Sequence, residues 1–348
     1  MILIKPERVY KGIYKYICRN NPAGFIFLYD MDYNVYSLEA EHRLKIAGKL
    51  HPETRPGYNT VSFHPADKKA AVILKDSSLA VCTLKADILW QKSGSFVCLM
   101  YSRDGSHIWT IEKLSKDYLR ISVFDSISGS LLNSREINDV LYDSTPRISD
   151  IPDSDNVILE LAAGQDGISL FECIYTDKIE LAELFPCNSY ITPAWSSDKN
   201  KIITLENDAQ TYAHFSCPEY KLLSEQTDID FDNEESIPGY NMIYLKNGLA
   251  VVQNINYRHF LFDPVKWERH GEIAFYGYEP VPACQIYKNL KDDSTLCSRI
   301  VYFDRIGNIL AAQTGDKDND PVIVFINEDE FISQIEQNKI YETLDKSV

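Results

Sequence analysis

No apolar run in the chain approaches the roughly 20 residues that a membrane helix requires. The opening stretch, "MILIKPERVYKGIYKYI", has no long apolar core and no small-residue cleavage site, so it does not read as a secretory signal. The glycosylation pattern N-x-[ST] occurs nowhere. The eight cysteines are scattered, with no C-x-x-C pair, and several sit inside apolar runs, where a free thiol acts as a small hydrophobe. Disulfide and zinc frameworks use tighter spacings. A reducing cytoplasm is the simplest compartment these features suggest.

Positive charge is also scarce. Against 35 Lys and Arg stand 51 Asp and Glu, a net charge of −16. Neutralising phosphates needs clustered cations. The balance therefore argues against nucleic acid and against an anionic membrane, and it suits a protein partner with a basic surface. Catalytic motifs are missing as well: G-x-S-x-G, H-E-x-x-H, G-x-G-x-x-G and the P-loop are all absent. The seven histidines never pair at ligand spacing. Neither a cofactor nor a metal is expected, and the weight of the reading falls on a non-catalytic role.

What the chain does have is repetition. In "CLMYSRDGSHIWTI" (98–111) an apolar run ends in Tyr101, a polar turn Ser102-Arg103-Asp104-Gly105 follows, and a second run begins at Ile108. "SFHPADKKAAVIL" (62–74), "AWSSDKNKIITL" (194–205) and "YFDRIGNILAAQ" (302–313) share this grammar. Phe63 to Ala70, Tyr101 to Ile108, Trp195 to Ile202 and Tyr302 to Ile309 are each seven positions. Looser copies occur at 15–30, 148–161 and 242–253. The four aromatics are expected to be equivalent and buried.

A second marker, a short strand, a polar turn and another short strand, follows each copy, as in "RISVFDSISGSLL" (120–132) and "VIVFINEDEFI" (322–332). Two markers alternating seven times describe seven four-stranded units, each rich in the Val, Ile, Tyr, Phe and Thr that suit strands. A four-stranded sheet cannot bury both faces alone. Radial repetition solves this, since each sheet packs between two neighbours and only short edges remain.

The aromatic-Ser-x-Asp-Gly hairpin of "YSRDGSHIW" and the third-to-fourth-strand turn of "VFDSISGSLL" resemble those of the seven-bladed β-propeller superfamily, of the WD40-like and YVTN-like kind. The Trp-Asp and Gly-His dipeptides of WD40 repeats are absent. The resemblance implies an all-β, single-domain, seven-bladed β-propeller of four-stranded antiparallel blades over residues 1–348. The blades are placed near 12–50, 58–93, 94–137, 145–185, 188–228, 236–275 and 278–335. Residues 1–11 are taken as the latch strand that closes the ring, because Ile2 and Ile4 alternate and Pro6 ends the run. Phe331, Ile335 and Leu344 do not form one clean helical stripe.

Two acidic stretches stand out. "DIDFDNEE" places Asp228, Asp230, Asp232, Glu234 and Glu235 around Phe231 in a connection between blades. "DKDND" contributes Asp316, Asp318 and Asp320 in a loop between second and third strands. It lacks the glycine and glutamate positions of an EF-hand loop, so it reads as a solvated loop. In a propeller these two kinds of connection emerge on one face. Asp30, Asp32, Asp76, Asp139, Asp143, Asp166 and Asp208 are assigned to that face too. Lys68, Lys69, Arg103, Lys199, Lys201, Lys246 and Arg305 are assigned to the other. His64, in an aromatic-His-Pro turn, reads as a turn residue.

The functional expectation is a non-catalytic protein-binding platform that docks a basic partner on its acidic face. An inhibitor or immunity-type protein against a basic toxin is the narrower form. The alternative is a propeller enzyme such as a sugar-lactone hydrolase, with polar groups converging on a central channel.

Overall fold

The computed structural model describes residues 2–11, 26–30, 32–39, 43–55, 59–138, 144–151, 154–162, 168–184, 193–196, 198–206, 211–227, 238–254, 259–275, 286–288, 295–297, 300–306, 308–316 and 319–345. The chain divides into two compact units. One comprises residues 14–189, the other residues 1–13 with 190–348.

The unit over 14–189 holds four antiparallel sheets. The first has three described strands, Ile26–Tyr29, Asn34–Glu39 and Arg43–Lys49. The hairpin expected near 19–24 lies outside the described residues. The second sheet runs Val61–Phe63, Lys69–Ile73, Leu79–Thr83, Ile88–Lys92. The third runs Phe96–Tyr101, His107–Lys113, Tyr118–Asp125, Leu131–Asn138. The fourth runs Thr145–Asp150, Val157–Ala162, Ile168–Tyr175, Ile179–Glu183. In each, strand order in space follows strand order in sequence.

The second sheet explains the near-continuous apolar runs "KAAVI" and "LAVCT". Successive side chains in a strand point to opposite faces. Ala70, Val72, Ala80 and Cys82 pack with Phe27, Tyr29 and Val35 of the first sheet. Ala71, Ile73, Leu79 and Val81 pack with Phe96, Leu99 and Tyr101 of the third. A sheet covered on both faces has no polar side to alternate with. The third sheet repeats this, setting Trp109, Ile111 and Ile121 against Ile148, Leu159 and Cys173 of the fourth.

The other unit holds the fifth sheet, Ala194–Trp195, Lys201–Glu206, Thr211–Ser216 and Leu222–Gln226. The sixth runs Pro238–Tyr244, Ala250–Asn254, His259–Asp263 and Glu268–Phe275. It is extended at its outer edge by Thr295–Cys297 and Ile286–Lys288, and by Ile2–Ile4 in parallel with Ile273–Phe275. The seventh contains Ile300–Ile306, Ile309–Asp316 and Asn319–Asn327, and its outermost strand is Arg8–Lys11.

Three expectations change here. Ile2–Ile4 joins the sixth sheet, and the segment after Pro6 completes the seventh. The segment from 328 onward forms no strand; Glu328–Asp345 is a helix, with Phe331 and Ile335 one turn apart and fully buried against Ile2, Ile4 and Phe275. Asn327 caps it by accepting the Asp329 N–H at 2.9 Å. The Gln334 side-chain amide accepts the Lys5 N–H at 2.7 Å and donates to the Lys5 carbonyl at 3.2 Å, holding residues 2–5 beneath the helix. Finally, Tyr302 is not equivalent to Phe63 and Tyr101. It pairs with Gln313, while Ile306 pairs with Ile309. The register expected elsewhere holds: Phe63 faces Ala70, Tyr101 faces Ile108 and Trp195 faces Ile202.

Candidate partner-binding surface

Six of the described loop carboxylates, Asp30, Asp76, Asp104, Asp125, Asp198 and Asp263, each close their own turn. Between second and third strands, the Asp30 carboxylate accepts the N–H groups of Asp32 and Asn34, both at 2.9 Å, and the Tyr36 hydroxyl at 2.7 Å. Asp76 accepts the Ser78 N–H at 2.9 Å and its hydroxyl at 2.6 Å. In first hairpins, Asp104 accepts the Ser102 hydroxyl at 2.6 Å and the Ser106 N–H at 2.9 Å, and Asp198 does the same with Ser196 and Asn200. In third-to-fourth turns, Asp125 accepts from Ile127 and Ser128, and Asp263 from Val265 and Lys266. Short acidic side chains that bond their own turn favour this geometry.

Electrostatics follow from the same bonds. For Asp30 and Asp104 partial burial pushes the pKa up, but the donated hydrogen bonds outweigh it and leave both below the usual carboxylate value. The Ser196 hydroxyl does this for Asp198, and the Ser128 N–H for Asp125. These groups stay ionised at neutral pH, yet much of their hydrogen-bonding capacity is spent inside the fold.

Of the sequence-derived site residues, Asp228, Asp230, Phe231, Asp232, Glu234 and Glu235 lie outside the described residues, as does Asp318. Asp316 ends the second strand of the seventh sheet, opposite Asn319, and Asp320 lies on the third strand. Among the cations assigned to the other side, Lys69 pairs with Asp67 at 3.0 Å. Lys246 is engaged by the helix start: its ammonium meets Asp329, and its N–H donates to Glu328 at 2.8 Å. His64 is the turn residue expected, its Nδ1 accepting the Asp67 N–H at 2.9 Å while its ring lies edge-on to Tyr101. Among the described residues no group of three or more His, Cys, Asp or Glu could hold a metal ion, and no helix is long and apolar enough to cross a membrane.

No family model matches the chain, and no curated protein matches it in sequence. A solved structure does match: the WD40 β-propeller domain of Doa1, with a TM-score of 0.53 and 15% identity, covering 92% of this chain and 96% of that one. The chain has the seven-bladed β-propeller fold of the WD40 type. Its seven sheets are the blades.

Two features of the blades escaped the sequence reading. A bulge recurs early in the fourth strand of blades two, three, five and six, leaving Leu89, Leu132, Leu223 and His270 as the extra residues, while blade one has a bulge late in its fourth strand, at Ala47. In blades two, three, five and six the preceding turn also places one residue in the left-handed region: Ala86 (φ +69°), Gly129 (φ +67°), Tyr220 (φ +54°) and Trp267 (φ +58°). Gly129 is the residue this conformation favours, but Trp267 is not. Trp267 instead lies among Tyr212, Phe262 and His214, with ring centroids 5.7, 6.0 and 5.3 Å away. This aromatic cluster seals blade five against blade six. The only sequence trace of it was the shared offset of four residues from Asp125 to Gly129 and from Asp263 to Trp267.

Proposed function

We propose that this propeller is a non-catalytic protein-interaction platform that docks a partner with a basic surface through its acidic segments. Asp228, Asp230, Asp232, Glu234 and Glu235 with Phe231 form the principal contact, and Asp316, Asp318 and Asp320 the second. It acts as one domain in a reducing cytoplasm, and masking of a basic toxin is the narrower form of the role. WD40 propellers commonly serve as protein-interaction platforms. One observation carries the reading. Six of the described turn carboxylates are spent on their own backbones, whereas "DIDFDNEE" concentrates five carboxylates around one aromatic in eight residues of a strongly acidic chain. Such a segment attracts cations at long range and offers an apolar anchor at contact.

The test is capture from the native lysate at low salt, followed by association kinetics with the captured partner. A variant with Asp228, Asp230 and Asp232 changed to Asn, and Glu234 and Glu235 to Gln, is compared. The expected result is a stoichiometric partner whose association slows on neutralisation, and slows in the parent protein as salt shortens the Debye length to about 8 Å. A partner that binds the neutralised protein equally fast would overturn the reading.

A further inference from the structure

Of the eleven large apolar side chains exposed among the described residues, five lie on the outer rims of blades two and three: Ile88, Leu89, Ile127, Leu131 and Leu132. Ile127 is 82% exposed, Leu131 54% and Leu89 50%. Leu89 and Leu132 are the bulge residues of their strands, so they stand at equivalent places on neighbouring blades. Trp90 joins the two rims. Its indole N–H donates to the Ser126 carbonyl at 3.1 Å, and its ring lies against Gly129, between Ile127 and Leu131 in the chain. Register turns Trp90 and Leu131 toward the groove between these blades. Trp90 is opposite Val81 and Leu131 opposite Phe124, and both partners belong to the core that the two blades share. A continuous exposed apolar band of this kind marks an interaction site.

The charges beside the band differ in what they have left to offer. Asp87 accepts the Thr83 hydroxyl at 3.2 Å, Asp125 closes its own turn, and Glu112 and Glu136 share Arg120 at 3.5 and 3.0 Å. Lys85 lies in the turn before the fourth strand of blade two, and Lys92 at the end of that strand. Both are exposed, and neither side chain makes an ion pair or a hydrogen bond among the described residues. In a chain of net charge −16, two free ammonium groups thus bracket Leu89 along its strand. The band itself crosses two strands rather than following one, so an added strand cannot match it. An amphipathic helix laid across the rims can.

We propose that the outer rims of blades two and three dock an amphipathic, acidic helix of a protein partner. Its apolar stripe covers Leu89, Trp90, Ile127, Leu131 and Leu132, and carboxylates on its two flanks meet Lys85 and Lys92. Apolar burial supplies the affinity, and the two ammonium groups select the charge of the occupant. The surface takes the opposite charge to the acidic segments, so it stands independently of the docking of a basic partner there.

The experiment uses the full chain and two fluorescein-labelled peptides, DELLEDLAELLEDLAE and LEDALELEDLEALEDL. They share one composition, and only the first gathers its leucines into a helical stripe. The first is expected to bind about tenfold tighter than the second and to protect the amides of residues 88–92 and 126–132 from hydrogen exchange. The Leu89→Ser, Leu132→Ser double variant is expected to keep its melting temperature, since both side chains are exposed, and to weaken binding about tenfold. The Lys85→Glu, Lys92→Glu double variant is expected to weaken it too, most at low salt. Equal binding of the two peptides, or no binding of the first, would overturn helix docking. Binding unchanged by the lysine substitutions would overturn the acidic character of the occupant. Protection of 126–132 by vesicles of phosphatidylcholine and phosphatidylserine in equal parts would assign the band to a lipid surface and overturn the proposal. Protection that rises with protein concentration and without peptide would assign it to a second copy of this chain and overturn the proposal as well. Neither variant touches the acidic segments, so the capture experiment above judges the platform reading separately.

Discussion

Asn59 donates a hydrogen bond from its side-chain amide to the main-chain carbonyl of Ile148, 89 residues further along the chain. Its own carbonyl accepts the Leu99 N–H at 2.7 Å. One residue at the entry to blade two thus ties together the innermost strands of blades three and four. It does so in the left-handed conformation (φ +57°), which Asn tolerates because its short side chain can bond locally. Asn59→Gly is expected to keep the backbone and lose the amide, costing about 1 kcal/mol. Asn59→Ala adds backbone strain and should cost about 2 to 3 kcal/mol. Urea denaturation of the two variants checks the order, and equal midpoints would contradict it.

Gly129 is constrained twice. Its φ is +67°, and a Cβ there would sit 2.7 Å from Cδ2 of Trp90, whose indole N–H donates to the Ser126 carbonyl at 3.1 Å. Gly129→Ala should cost about 2 to 4 kcal/mol, from left-handed strain together with overpacking. A thermal melt within a degree of the parent protein would show that the turn relaxes.

The hairpins were legible where turn chemistry set them. Asp104-Gly105 and the Ser-x-Asp grammar at 196–198 fix a six-residue turn, so counting from the aromatic found the partner. In blade seven the pair Gly307-Asn308 is itself a two-residue hairpin signal. The count from Tyr302 overrode it and slid the register. Trp195 has the expected backbone partner but is only partly buried, unlike Phe63 and Tyr101. The C-terminal helix was missed because its partners, Ile2 and Ile4, lie at the far end of the sequence, and a local stripe of two residues carries little weight until they arrive. As for the site, sequence could mark where carboxylates are dense. It could not tell which of them bond their own turns, since that depends on side-chain direction within each loop.

His214 lies almost wholly buried against Trp267, its Nδ1 3.3 Å from the Ser224 hydroxyl. Burial, with Lys201 adding to it, pushes its pKa below the ordinary 6.5. A depressed pKa means the unfolded chain takes up the proton first. The contribution of His214 is therefore complete above pH 6.5 and is lost as pH falls from there toward the lower folded value. Urea midpoints between pH 7.5 and 5 should fall less steeply in His214→Phe than in the parent protein. Parallel curves would show that His214 does not titrate in this range.

Three thiols should be inert. Burial pushes Cys82 up to about 11 and Cys173 up to about 12, and raises Cys98 further. Cys217 is only partly buried. Iodoacetamide at pH 8 is expected to modify Cys217 and to spare the other three until urea is added. Mass spectrometry of labelled peptides reads this directly, and native labelling of Cys98 would place blade three in error.

Phe331 anchors the C-terminal helix in the core of blades six and seven. Phe331→Ala should cost about 3 to 5 kcal/mol. Gln334→Ala should leave the helix in place while raising hydrogen exchange at Leu3 to Lys5. If exchange there is unchanged, the amide clamp on Lys5 is not what holds the strand.

The pairing of Ile2 with Ile273 sets a schedule for synthesis. The strand Ile2–Ile4 leaves the ribosome without its partner, since the residues that receive it are some 270 codons downstream. At about 5 to 20 residues per second that is a delay of roughly 15 to 50 s. During it the stretch "MILI" stays available to chaperones, proteases and other nascent chains, while blades two to four, whose strands are contiguous, can already close on themselves. Blades six and seven are therefore completed only when residues 273–275 and 322–325 appear, by strands made long before them.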